Sequence, residues 1–106
     1  MKVNFISDAE EDLLSIYKFV YINDSETHAE KLFAGLYNKC LTLKDSADRG
    51  CIPPELKRIG ISVFREIILK PYRIIYQVID DSVFIDCILD GRRDIQTLLQ
   101  ERLLRS

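Results

Sequence analysis

Arginine is the residue around which any chemistry in this sequence would be organised. Arg92 and Arg93 stand side by side in ILDGRRDI, residues 88–95, Arg73 lies inside YRIIYQVI, and Arg65 precedes Glu66 in VFREIILK. A guanidinium carries a fixed positive charge and five donors, so it can hold either a phosphate or a carboxylate. Arg73 has the narrowest choice: among aromatic and β-branched neighbours on a strand it must find a partner or stay wet. Arg92 and Arg93 admit three uses: solvated charge at a helix start with Asp94 helping to cap, contact with a protein, or catalysis at phosphate. Helix N-termini disfavour cations, which weighs against the first. The enrichment of arginine at interface hot spots supports the second. For Arg65 with Glu66, a simple cross-strand ion pair competes with a role in contact.

Cutting a phosphodiester also needs groups that move protons. His28 is the single histidine, in a helical stretch beside Glu26 and Glu30, and reads as an exposed helix residue rather than part of a triad. With no second histidine and no CxxC spacing among Cys40, Cys51 and Cys87, neither metal nor cofactor is expected, and the cysteines read as small apolar fillers kept reduced. Asp80 and Asp81 are turn residues before they are a catalytic pair. Tyr72 and Tyr76 alternate onto one strand face, where core or rim packing is the commoner role than base stacking.

The formal charge of −2 is uneven. Residues 1–55 hold six basic residues and ten acids, giving −4; residues 56–106 hold nine and seven, giving +2. Binding driven by phosphate contacts usually needs a basic surplus, so strong nucleic-acid binding by the chain alone is not expected. No apolar run is long enough for a bilayer, and MKVNFISDAEEDLL lacks the apolar stretch of a secretion signal, which predicts a cytosolic protein without membrane contact.

The elements that must position the arginines follow from periodicity. At 106 residues one domain is expected. KVNFI, residues 2–6, is a short strand. Ser7 opens a helix with Glu10 completing a capping-box pattern, and Ala9, Leu13, Ile16, Tyr17 and Val20 share a face. INDSE breaks it, with Asp24 or Ser25 capping a second helix whose face carries Ala29, Leu32, Phe33, Leu36, Cys40 and Leu43. A helical hairpin results. DSADRGCIPPE, residues 45–55, is a loop. Strands follow at 63–70, 72–79 and 82–89, the last two joined at Asp80–Asp81, and ELKRIG (55–60) can add an edge strand. In the last strand Val83, Ile85, Cys87 and Leu89 alternate with Phe84, Asp86, Ile88 and Asp90. A third helix from about Arg92 carries Ile95, Leu98, Leu99 and Leu103; that stripe docks on the sheet or receives a partner. The class is α+β: an N-terminal helical hairpin on a 3–5-stranded antiparallel sheet, one face partly open, with a C-terminal helix.

AEEDLLSIYKFV, a second helix, FREI, YRIIYQVIDD and ILDGRRDI before a leucine-rich helix resemble the RelE/ParE superfamily, the toxins of bacterial type II toxin–antitoxin pairs. The resemblance covers nearly the whole chain and implies the fold just described. Its RelE-like branch comprises ribosome-dependent messenger endonucleases; its ParE-like branch inhibits DNA gyrase. Arg73 and Arg93 match the two arginines of the nucleases, but Leu99 occupies their tyrosine position, and the strand they stud with lysines reads VFREIIL, with Glu66 beside Arg65. FREI before YRI is similar to the ParE-like branch, although Asp90 stands where a histidine often precedes the glycine. The resemblance therefore implies a non-enzymatic gyrase inhibitor neutralised by a ParD-like antitoxin, with Arg65, Arg73, Arg92, Arg93, Tyr72, Leu98 and Leu99 as target- or antitoxin-binding residues and no catalytic residue. A RelE-like endonuclease and a non-toxic antitoxin-binding homologue are the alternatives.

Overall fold

The computed structural model describes residues 1–104. In chain order the elements are β1 (Lys2–Phe5), α1 (Ser7–Asn23), α2 (Glu26–Leu41) with a 3-10 turn at Thr42–Lys44, α3 (Pro54–Lys57), β2 (Arg65–Leu69), β3 (Tyr72–Ile79), β4 (Ser82–Asp90) and α4 (Ile95–Leu103). The sheet has four strands in the order β1-β4-β3-β2. It is mixed rather than wholly antiparallel: β1 runs parallel to β4, while β2, β3 and β4 form an antiparallel meander. The α1–α2 hairpin begins straight after β1, and the chain re-enters the sheet at its far edge, so the last strand returns beside the first in the same direction.

Leu13, Leu36, Leu43, Ile74, Tyr76 and Ile85 are at the centre of the core between the hairpin and one sheet face. Ser25 caps α2 by accepting from the His28 amide at 3.1 Å. The capping box expected at Ser7 does not form. Ile6 keeps its N–H in the sheet, donating to the Ile85 carbonyl at 3.2 Å, while its own carbonyl accepts from Ala9 and Glu10. Strand therefore passes to helix without a free residue between, and Ser7 falls inside the helix.

The other sheet face is not open. Leu56 of α3, Ile95 and Leu99 of α4, and Phe64 pack on Ile75, Cys87 and Leu89 in a second core cluster. ELKRIG supplies that cover as a short helix rather than an edge strand: Pro54 is pre-set for a first helical turn, and Leu56 and Lys57 donate to the Pro53 carbonyl. Cys51 instead pairs with Glu66 at the sheet edge, and is exposed, unlike Cys40 and Cys87, which fill the core as expected.

The alternation along β4 breaks at Asp86. Ile75 pairs with Cys87 and Tyr76 with Ile85, so Asp86 is an extra residue opposite no partner. This bulge turns Val83 and Ile85 to the hairpin but Cys87 and Leu89 to α4, with Ile88 returned to the hairpin side. One inserted residue thus lets a single strand feed both cores.

Candidate protein-contact surface around the arginines

β3 carries Arg73 onto the α4 side of the sheet, in register with Ile68 of β2 and Leu89 of β4. Its guanidinium is fully engaged. NH1 and NH2 donate to Glu55 at 2.8 and 2.7 Å, and Nε donates to Glu66 at 2.6 Å. Glu55 comes from α3 and Glu66 from β2, so the trio pins the loop-borne helix to the sheet. Only 13% of the Arg73 side chain is accessible, and Glu66 is 5% accessible. The hydrogen bonds from Arg73 hold the Glu55 carboxyl below its ordinary range. One cation facing two carboxylates leaves the cluster with a net charge of −1, which repels a phosphate.

Glu66 therefore pairs with Arg73, not with Arg65. Neighbouring residues on a strand point to opposite faces. Arg65 turns to the hairpin side, where NH1 donates to the Gly50 carbonyl at 2.7 Å. The 45–53 loop is further tied by Tyr76, whose hydroxyl donates to the Ala47 carbonyl at 2.6 Å and accepts from the Gly50 amide at 3.0 Å. A Cβ on Gly50 would lie 2.5 Å from that hydroxyl, which explains the glycine.

The GRRD turn sits between β4 and α4. Gly91 donates to the Pro71 carbonyl at 2.8 Å, and a Cβ there would meet that oxygen at 2.9 Å, so the close approach requires glycine. Helix α4 starts only at Ile95, not at Arg92, and Asp94 caps it by accepting from the Thr97 amide at 3.2 Å and its hydroxyl at 2.8 Å. Both arginines thus precede the helix. Arg92 folds back on Asp90, with Nε and NH2 donating at 2.9 and 2.7 Å. Those bonds hold the Asp90 carboxyl down to about 2. Arg93 is exposed and borders a shallow depression with Asp94, Thr97, Leu98 and Glu101.

The seven residues singled out from sequence thus separate. Arg92 and Arg93 are exposed; Arg65 and Leu98 are half-buried. Three are not placed as a contact surface would need. Tyr72 is 8% accessible within the hairpin-side core, Leu99 is fully buried between α4 and the sheet, and Arg73 is spent on internal ion pairs. Sequence reasoning missed two residues that organise this region. Glu55 lay in what read as loop. Asp12 of α1 accepts from the Ile88 amide at 2.9 Å and from Arg102 at 3.1 and 2.9 Å, linking α1, β4 and α4. Its position beside the apolar stripe of α1 was the one available signal.

His28 is exposed, with Nδ1 2.8 Å from Asp24 on the adjoining turn. Among the described residues no group of three His, Cys, Asp or Glu is placed to hold a metal ion, and no helix is long and apolar enough to cross a membrane.

The solved structure of a chromosomal ParDE toxin–antitoxin system from P. aeruginosa is similar, with a TM-score of 0.70 at 20% identity over 83% of this chain and 92% of that one. No curated protein matches the chain. A family model described as "ParE toxin of type II toxin-antitoxin system, parDE" matches residues 3–95. The chain belongs to the ParE toxin family of type II toxin–antitoxin systems.

Proposed function

We propose that this protein is a gyrase-directed toxin that acts by binding rather than by catalysis, in the cytoplasm, and is neutralised by a ParD-like antitoxin. The observation that carries the reading is the state of Arg73. The arginine that would grip a scissile phosphate in a nuclease is held by Glu55 and Glu66, 2.6 to 2.8 Å away. Leu99, at the position where a nuclease would carry its tyrosine, is buried against the sheet. Of the two arginines that match those of a nuclease, only Arg93 is left exposed and unpaired among the described residues, and a leucine at the tyrosine position has no proton to transfer. Arg65, Arg92, Arg93 and Leu98 retain accessible side chains for target and antitoxin, while Tyr72, Arg73 and Leu99 support that surface from beneath.

Purified protein is expected to abolish DNA supercoiling by gyrase and to accumulate cleaved plasmid, with Arg93→Glu weakening the effect. Messenger in translating ribosomes should remain intact under the same conditions. Intact supercoiling together with cut messenger would sink the proposal.

A further inference from the structure

Each helix of the hairpin carries a second apolar stripe beside the one that faces the core. On α1 it is Leu14, Tyr17 and Tyr21, at i, i+3 and i+7; on α2 it is Phe33 and Tyr37, at i and i+4. The stripes meet, with the rings of Tyr17 and Phe33 6.0 Å apart, edge to face. Tyr37 stacks on Phe33 at 6.4 Å and on Phe5 of β1 at 5.3 Å, so a ladder of rings runs from the sheet edge across both helices. Two adjoining depressions of about 480 and 390 Å³ lie along it and share Leu14 and Phe33 in their lining. Leu14 is 52% accessible and Tyr37 41%, where an amphipathic helix ordinarily shows water a polar side chain. Glu10 and Glu30 are the charged residues of the lining, and no basic residue lines either depression. Both glutamates are exposed, and neither enters an ion pair among the described residues. We propose that this ladder docks a basic polypeptide segment, one apolar side chain seated on Leu14 and Phe33 and flanking arginines or lysines on Glu10 and Glu30. The inference goes beyond the function proposed above: it uses none of the residues assigned there to target or antitoxin, and does not depend on gyrase being the target.

Charge selects a basic occupant. The Tyr17 hydroxyl is raised above its ordinary value by partial burial and then by the carboxylates of Glu30 and Glu26, so the acidic field reaches the middle of the ladder. Lysine and arginine suit such a surface, because their aliphatic stems lie along apolar side chains while the charged head reaches a carboxylate. The same carboxylates repel the phosphates of nucleic acid and of an anionic membrane. A second copy docked ladder to ladder would set Glu10 and Glu30 against their own counterparts, which weighs against symmetric self-association through this face. Extent decides between a polypeptide and a small cation: the ladder joins three elements, and its two depressions side by side have room for several consecutive residues.

The test is an NMR titration of the isotope-labelled full chain with a short synthetic peptide carrying a Leu-Phe pair between arginines. Saturable shifts are expected at the amides of Glu10, Leu14, Glu30 and Phe33 and at the ring of Tyr37. Glu10→Gln/Glu30→Gln removes two exposed carboxylates and should keep the spectrum of the folded protein while binding at least about tenfold more weakly. Leu14→Ser, also at an exposed position, should weaken binding through loss of the anchor's seat. A peptide with glutamates in place of the arginines should leave the spectrum unchanged. Absence of saturable shifts, shifts confined to the Arg93 turn or to Lys31 and Lys70, or undiminished binding by either variant would overturn the proposal. So would equal shifts with free arginine, phosphatidylglycerol vesicles or single-stranded RNA, or the same shifts on concentrating the chain alone.

Discussion

Arg73 and Asp86 lie on adjacent strands, and both are charged residues in apolar sequence, yet burial treats them in opposite ways. Arg73 meets two carboxylates. Removing it strands Glu66 inside the protein, and breaking such a pair from one side costs about 3–5 kcal/mol. Arg73→Ala is therefore expected to lower the urea-unfolding free energy by about that amount, and a loss below about 1 kcal/mol would contradict the internal role assigned here. Asp86 meets almost nothing. It is 6% accessible, its Oδ1 accepts from Gln77 at a long 3.3 Å, and its Oδ2 has no partner among the described residues. Burial pushes its carboxyl from 3.8 up to about 6. A raised carboxyl means that the folded protein holds the proton more tightly than the unfolded chain. Stability from this group is thus full below 3.8, falls as pH rises through about 6, and is absent at neutrality. Asp86→Asn should remove that decline and gain about 1–2 kcal/mol at neutral pH, read from unfolding curves across the window. Parallel pH profiles for the two proteins would refute the assignment.

Helix α4 shows how an element depends on contacts outside itself. It is nine residues long, too short to be stable alone in water, so packing must hold it. Ile95 and Leu99 supply the apolar part, and Arg102 reaches Asp12 of α1. Asp12 is bound twice because β1 pairs with β4 only as far as Ile85, leaving the Ile88 N–H without a strand to receive it. One carboxylate therefore closes a sheet edge and anchors a helix. Asp12→Ala should accelerate amide hydrogen exchange through α4 while leaving α2 protected, at a cost of about 1–3 kcal/mol. Unchanged α4 protection would show that the apolar contacts alone suffice.

At the scale of the whole molecule, the charge asymmetry takes on spatial meaning. The acidic N-terminal half and basic C-terminal half are folded against each other, so Asp12–Arg102 and Glu55–Arg73 join segments far apart in sequence. Basic residues that look available in the linear chain are consumed in this way: Arg73, Arg92 and Arg102 are all paired with carboxylates, while Lys31, Lys70 and Arg93 enter no ion pair among the described residues. That redistribution favours a protein partner over nucleic acid, since phosphate-driven binding needs many uncompensated cations on one face.

The helical hairpin, the three-strand meander, the two-residue turn at Asp80–Asp81 and the Asp94 cap were all legible in the sequence, because each is set by periodicity or by side chains a few residues apart. Asp80 does adopt the positive φ, 54°, that such a turn demands. The helical turn at Pro54–Lys57 had a local signal in Pro54, but three features depended on contacts between distant residues: the parallel placement of β1, the Asp86 bulge and the pairing of Arg73. Local pattern alone could not decide them. A strand's neighbour, a charge's partner and the face on which a side chain emerges after a bulge are settled by what the rest of the chain brings alongside, and for Arg73 that is a glutamate of α3 eighteen residues earlier.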